Sequence, residues 1–191
     1  TTLTASSTSS SNSNQTFSTA AGDTALFYPG GNSTVGNANN YPWYITVNGL
    51  PTSGVTVSSV VINSLSHAEP VDLDIILQSP TGTNVVLMSD VGGTATVTNQ
   101  NITFSDGGTV ISSSLATGTY TPTNSGSTDT WVSPGPGSIT QASPTLSSFN
   151  GDMNGEWKLF VVDDLTANIG KALGWSITFS APNNITYTWS P

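Results

Sequence analysis

The run VDLDIILQSPTGTNVVLM, residues 71–88, decides the fold. Val71, Leu73, Ile75 and Leu77 fall on one face of an extended chain, and Asp72, Asp74, Ile76 and Gln78 on the other. SPTG (79–82) reads as a turn, with Pro80 where its fixed φ suits the second position and Gly82 closing it. NVVLM (84–88) returns as the partner strand, so the run predicts a hairpin. The same logic extends outward to WYITVN (43–48), TVSSVVINSL (56–65), QNITF (100–104), EWKLFVV (156–162) and GWSITF (174–179). In EWKLFVV, Trp157, Leu159 and Val161 make one face, with Lys158 and Phe160 on the other. In GWSITF, Trp175, Ile177 and Phe179 alternate with Ser176, Thr178 and Ser180. No window of comparable length repeats at helical period, and the class is all-β.

Composition agrees. The 191 residues suffice for one sizeable domain. Abundant Gly, Ser, Thr and Asn, with 11 prolines, suit a chain of strands and turns. A formal charge of −9, with Lys158 and Lys171 the only basic residues, excludes a basic patch for nucleic acid and disfavours anionic membranes. No apolar run reaches membrane-spanning length, so membrane insertion is not expected. Without cysteine there is neither a disulfide framework nor a thiol site. Thr1 is not a natural start, and the chain reads as a piece of a longer one, expected to be a monomer. Residues 1–15, rich in Ser and Thr, are expected to be a linker or lead-in, 16–181 a sandwich, and 182–191 a link into a following module. A first edge strand is expected around Thr16 to Ala20. The Gly/Pro/Ser/Thr-rich stretch from Gly107 to Asn150 is expected to pack as a cover over a β-sandwich.

Few residues invite chemistry. His67 is the sole candidate base, and no G-x-S-x-G elbow accompanies it. Asp72/Asp74 and Asp163/Asp164 pair carboxylates along the chain, but spacing alone does not set them across a cleft. One histidine and no cysteine exclude zinc. Calcium takes carboxylate, amide and carbonyl oxygens, and Asp90, Asp106, Asp163 and Asp164 sit at strand ends beside Gly, Asn or Ser. Those aspartates read equally as turn caps that accept from nearby N–H groups. Trp43, Tyr44, Tyr120 and Trp131 lie near turns, where they either form a sugar platform or staple loops onto the sandwich.

The order of motifs resembles a known family. HAEPVDLD (67–74), running into SPTGT (79–83) and VVLMSD (85–90), is similar to the P domain, or Homo B domain, of the proprotein convertases. LSSFNGDMNGEWKLFVVDD (146–164) and IGKALGWSITF (169–179) resemble that family's ending, with Trp157, Asp163, Gly170, Leu173 and Trp175 at matching positions. YPWYITVNGL (41–50), MSDVGG (88–93) and GTYTPTN (118–124) are closer to its bacterial branch in secreted multidomain proteins. The resemblance spans residues 16 to 180. It implies a jelly-roll-like β-sandwich of about eight strands. It also implies no catalytic residues, and a role as accessory module to neighbouring domains of the same chain, a subtilisin-like serine protease among them. Related jelly-roll modules bind calcium, which makes Asp72, Asp90, Asp106, Asp163 and Asp164 the expected ligands. Asn168 stands where the family often has aspartate, and its amide oxygen ligates with less charge. His67 is expected to fix the strand entry by a hydrogen bond, Asp72 to hold a loop or an ion, and Asp74 to satisfy local donors. The expected setting is secreted or on the bacterial cell surface. The alternative is an adhesive or carbohydrate-binding module using the four rings on a glycan or cell-surface ligand.

Overall fold

The computed structural model describes residues 12–30, 36–126, 128–166 and 168–182. Most of the expected lead-in (1–11) and of the expected link (183–191) lies outside them. Among the described residues the strands are β1 (Ser13–Ser18), β2 (Ala25–Phe27), β3 (Gly36–Asn37), β4 (Trp43–Val47), β5 (Thr56–His67), β6 (Leu73–Gln78), β7 (Asn84–Ser89) and β8 (Val97–Thr109). They continue with β9 (Gly118–Tyr120), β10 (Thr123–Asn124), β11 (Asp129–Trp131), β12 (Gly137–Ile139), β13 (Gly155–Asp163), β14 (Gly170–Ala172) and β15 (Trp175–Ala181). Short 3-10 turns cover Pro70–Asp72 and Leu146–Ser148. No helix among the described residues is long and apolar enough to cross a membrane.

The predicted hairpin forms as β6 and β7, antiparallel, with Leu77 opposite Val85 and Gln78 opposite Asn84. Its entry differs from the sequence expectation. Val71 and Asp72 belong to the 3-10 turn that Pro70 opens, because proline's fixed φ and missing N–H suit a first turn better than a ladder. The strand proper starts at Leu73. The expected edge strand is β1, beginning earlier, at Ser13, and paired with β15 from Ser13 opposite Ala181 to Ser18 opposite Ser176.

Two sheets face each other. In one, β5 is flanked by β15 and β14 on one side and by β8 on the other, with β1 beyond β15, β2 beyond β14 and β9 beyond β8. The other runs β10-β7-β6-β13-β4. Between them Leu73, Ile75, Leu77, Trp157, Leu159, Val161, Trp175, Ile177 and Phe179 are buried, as their alternation predicts. Each such side chain removed from water contributes about 1.5–3 kcal/mol, and a one-residue slip would turn the whole row outward, so register is strongly fixed.

The 107–150 stretch does cover the sandwich. Its β11–β12 hairpin lies over the outer face of the five-stranded sheet, where Trp131 joins Ile76, Val86, Phe160 and Val162 in a second, smaller core. This explains why Ile76 and Phe160 are apolar on the face the strand pattern points away from the main core. That face carries Asp74 at its end, opposite Val162 in the ladder.

Candidate functional site

His67 ends β5 in one sheet, and Asp163 ends β13 in the other. Their side chains are fully buried, with Nε2 of His67 at 3.1 Å from Asp163 Oδ2. The other ring nitrogen, Nδ1, lies 2.8 Å from the Glu69 carbonyl oxygen and 3.2 Å from the Glu69 N–H. A neutral ring protonated on Nε2 donates to Asp163 and accepts from Glu69; a charged ring donates to both oxygens. In each case both nitrogens are engaged, and the histidine joins the two sheets as the expected strand-entry hydrogen bond and more. Asp163 Oδ1 accepts the Leu165 N–H at 3.4 Å. Gly170 backs the ring so closely that a Cβ there would collide with the imidazole and lie 2.8 Å from Phe27 and 2.9 Å from the Ser66 carbonyl.

The candidate metal ligands separate. Asp106 accepts the N–H groups of Leu146 at 2.6 Å and Ser147 at 2.9 Å, and so caps the 3-10 turn Leu146–Ser148. Asp163 is committed to His67. Asp72 is buried; its Oδ2 accepts from Asn168 at 3.4 Å, and its carbonyl accepts the Asp164 N–H, so it does hold a loop. Burial raises its pKa, with the hydrogen bond from Asn168 opposing and the charges of Glu69 and Asp163 adding.

Asp90 and Asp164 lie within electrostatic reach of Asp74, which the sequence pairs with Asp72, and of Asp129, which the sequence does not single out. Burial pushes the Asp74 carboxyl up to about 8, with Ser89 opposing and Asp129, Asp164 and Asp90 adding. Burial pushes Asp164 up to about 6, with Asp90, Asp72, Asp163 and Asp129 adding. Asp90 is raised by burial and by Asp129.

Asp74 was expected to satisfy local donors, and the Ser89 side chain stands beside its carboxyl as one. Asp74 is 4% exposed. The Ser89 hydroxyl also lies 2.8 Å from Asp129 Oδ2, to which it can donate, so the serine sits between the two carboxyls. The indole N–H of Trp131 goes to the Asp74 backbone carbonyl, at 3.3 Å, not to its carboxylate. Among the described residues His67–Asp163 is the one ion pair, so no lysine compensates Asp74. Asp74 was legible as a residue facing away from the main core; Asp129 opens β11, 55 positions on, and only the folding of β11 over the sheet brings it there.

These groups are all oxygen donors, of the kind that hard divalent cations take, and the one imidazole is engaged elsewhere. Among the described residues no three His, Cys, Asp or Glu side chains are drawn together closely enough to hold a metal between them. A bound ion would therefore need backbone carbonyls, amides or water to complete its shell. A shallow cavity of about 510 Å³ runs from Asp90 past Val71 and Gly93 to Ile111 and Asn124.

The rings proposed as a sugar platform are mostly interior. Trp131 and Trp43 are buried, and the Trp43 indole donates to Asp23 at 2.6 Å. Tyr120 packs against the main core, and only Tyr44 is exposed.

The family model described as the proprotein convertase P-domain matches residues 56–179. The chain belongs to the P-domain family. That family is one of non-catalytic accessory domains. No curated protein matches the chain. Among solved structures, this P domain is similar to the serine protease of Aeromonas sobria in complex with its chaperone, at 15% identity and a TM-score of 0.38, over 89% of this chain and 28% of that one. It is also similar to the serine protease of Aeromonas sobria alone, at 16% identity and a TM-score of 0.35, over 87% of this chain and 27% of the protease. The P domain thus spans under a third of those chains.

Proposed function

We propose that this P domain is a non-catalytic, monomeric accessory module of a secreted or surface-anchored bacterial protein, stabilised by calcium. It supports the folding and stability of neighbouring domains in its own chain, a subtilisin-like serine protease domain among them. The observation that carries the reading is the P-domain match across 56–179, laid on a sandwich whose sole histidine has both ring nitrogens engaged. A general base needs a free nitrogen within reach of a nucleophile, and His67 offers none. The acidic, all-oxygen end around Asp74 supports the calcium part. The glycan-binding alternative has less support, since three of its four rings pack inward or against the core.

The test is deletion of residues 13–182 from the parent protein, followed by secreted yield and protease resistance of what remains. Loss of folded neighbouring domain is expected. A neighbour that accumulates equally well and resists protease equally well without the P domain would remove the supporting role.

A further inference from the structure

We propose that the outward face of β2 and β14 is the surface on which this P domain docks against a neighbouring domain of its own chain, meeting an apolar patch that bears a carboxylate. This rests on the accessory reading above and gives it a surface.

The two strands form a short ladder, with Ala172 opposite Ala25, Lys171 opposite Leu26 and Gly170 opposite Phe27. Ala25, Phe27 and Ala172 belong to the main core, so Leu26 and Lys171, one step along, point outward. Outward positions on a sheet with one solvated face are usually polar. Toward the far edge of the same sheet they are: Ser18 stands opposite Ser176, Thr16 opposite Thr178 and Thr178 opposite Ser59. At β2 and β14 the pattern inverts. Leu26 is 36% exposed, and Tyr28, Ile169 and Leu173, which flank the ladder, are 45%, 68% and 48% exposed. Leu165, also exposed, lies in the loop that leads into β14. Single exposed apolar side chains are ordinary, but a gathering of them marks an interaction surface. Of the large apolar residues exposed among the described ones, only Tyr44 and Val110 lie elsewhere.

Lys171 and the strand edge decide what meets this face. Lys171 is exposed within the patch and has no carboxylate at ion-pair distance among the described residues. A carboxylate on the partner would pair with it, since charges across an interface are matched to set register and exclude wrong partners. A second copy fits badly. A two-fold contact through this patch brings Lys171 toward its own counterpart, and each copy carries −9. Strand addition fits no better. β2 is the sheet's edge, but its Leu26 N–H donates to Asn39 Oδ1 at 2.8 Å and its carbonyl accepts the Asn39 N–H at 3.0 Å. The partner therefore packs on the face, side chain against side chain.

Hydroxyl-radical footprinting tests this, because it reads side-chain exposure directly. It is run on the parent protein and on the 191-residue chain alone, following oxidation of Leu26, Tyr28, Ile169 and Leu173. Tyr44, exposed on the other sheet, serves as the reference. The four should oxidise at least threefold more slowly in the parent, and Tyr44 equally in both. Lys171→Glu in the parent should return the four to the rates of the chain alone. At its exposed position the same change should leave the melting temperature of the chain alone unaltered. Equal oxidation in parent and chain overturns the surface, and the supporting role then stands if deletion still costs the neighbour its fold. Equal oxidation together with a neighbour indifferent to the deletion overturns both. Protection that Lys171→Glu does not disturb overturns the partner carboxylate. Protection that develops in the chain alone as its concentration rises, with a dimer in sedimentation, overturns the neighbouring domain in favour of a second copy.

Discussion

The His67–Asp163 pair concentrates the molecule's charge problem in two atoms. With both side chains fully buried, its strength lies less in attraction than in the penalty for removing one partner. His67→Ala should cost about 3–5 kcal/mol by urea denaturation, since it leaves the buried Asp163 carboxyl without its hydrogen-bond partner. His67→Leu combined with Asp163→Leu should cost less than either single change, because no charge is then left uncompensated. Additive losses in that cycle would show that the two residues stabilise the sheets independently. At this scale the sequence was partly legible. His67 reads as a strand-entry residue, but its partner is 96 positions away and no local pattern links them. Asp106 and Asp163 look alike beside their loops, yet one caps a turn and the other pairs with an imidazole. That difference is decided by which backbone N–H or ring arrives opposite, which a one-dimensional pattern does not contain.

Among elements, the β11–β12 hairpin differs most from its sequence. Its strands have three residues each, embedded in Gly, Pro and Ser, and Trp131 and Ile139 alone betray an inward side. By contrast β6, β13 and β15 were readable because period-two alternation records burial directly. The apolar outer residues Ile76 and Phe160 were the hint that a cover exists. Trp131→Ala should cost about 3–5 kcal/mol, in the range for a large buried aromatic. The loss should be local before it is global. The Val86 N–H is donated to the Gln141 side chain at 2.8 Å, so its amide exchange reports directly on the cover. Faster exchange at Val86 with unchanged protection in β15 is the expected pattern. Equal acceleration in both would mean that cover and main core melt as one unit.

For the whole molecule, a charge of −9 with two lysines leaves the acidic end without internal compensation, so pH is felt globally. Unfolded, Asp74 ionises near pH ~4. Folded, it holds its proton up to about 8. Between these values the folded state binds more protons, so in chelator stability is fully present below about pH 4 and falls as pH rises through about 8. The loss should be on the order of a few kcal/mol, and Asp74→Asn should flatten the curve. A wild-type profile that instead rises between pH 5 and 8 would contradict the burial of that carboxyl as an acid. The pairing of β1 with β15 has a mechanical consequence. Ser13 lies opposite Ala181, so the chain enters and leaves at one end of an antiparallel ladder. Tension applied through the two flanks meets that ladder a rung at a time, like a zipper, instead of shearing all its hydrogen bonds together. Under stretch the first strand peels away while the sandwich behind it stays shut, lengthening the tether before the core yields.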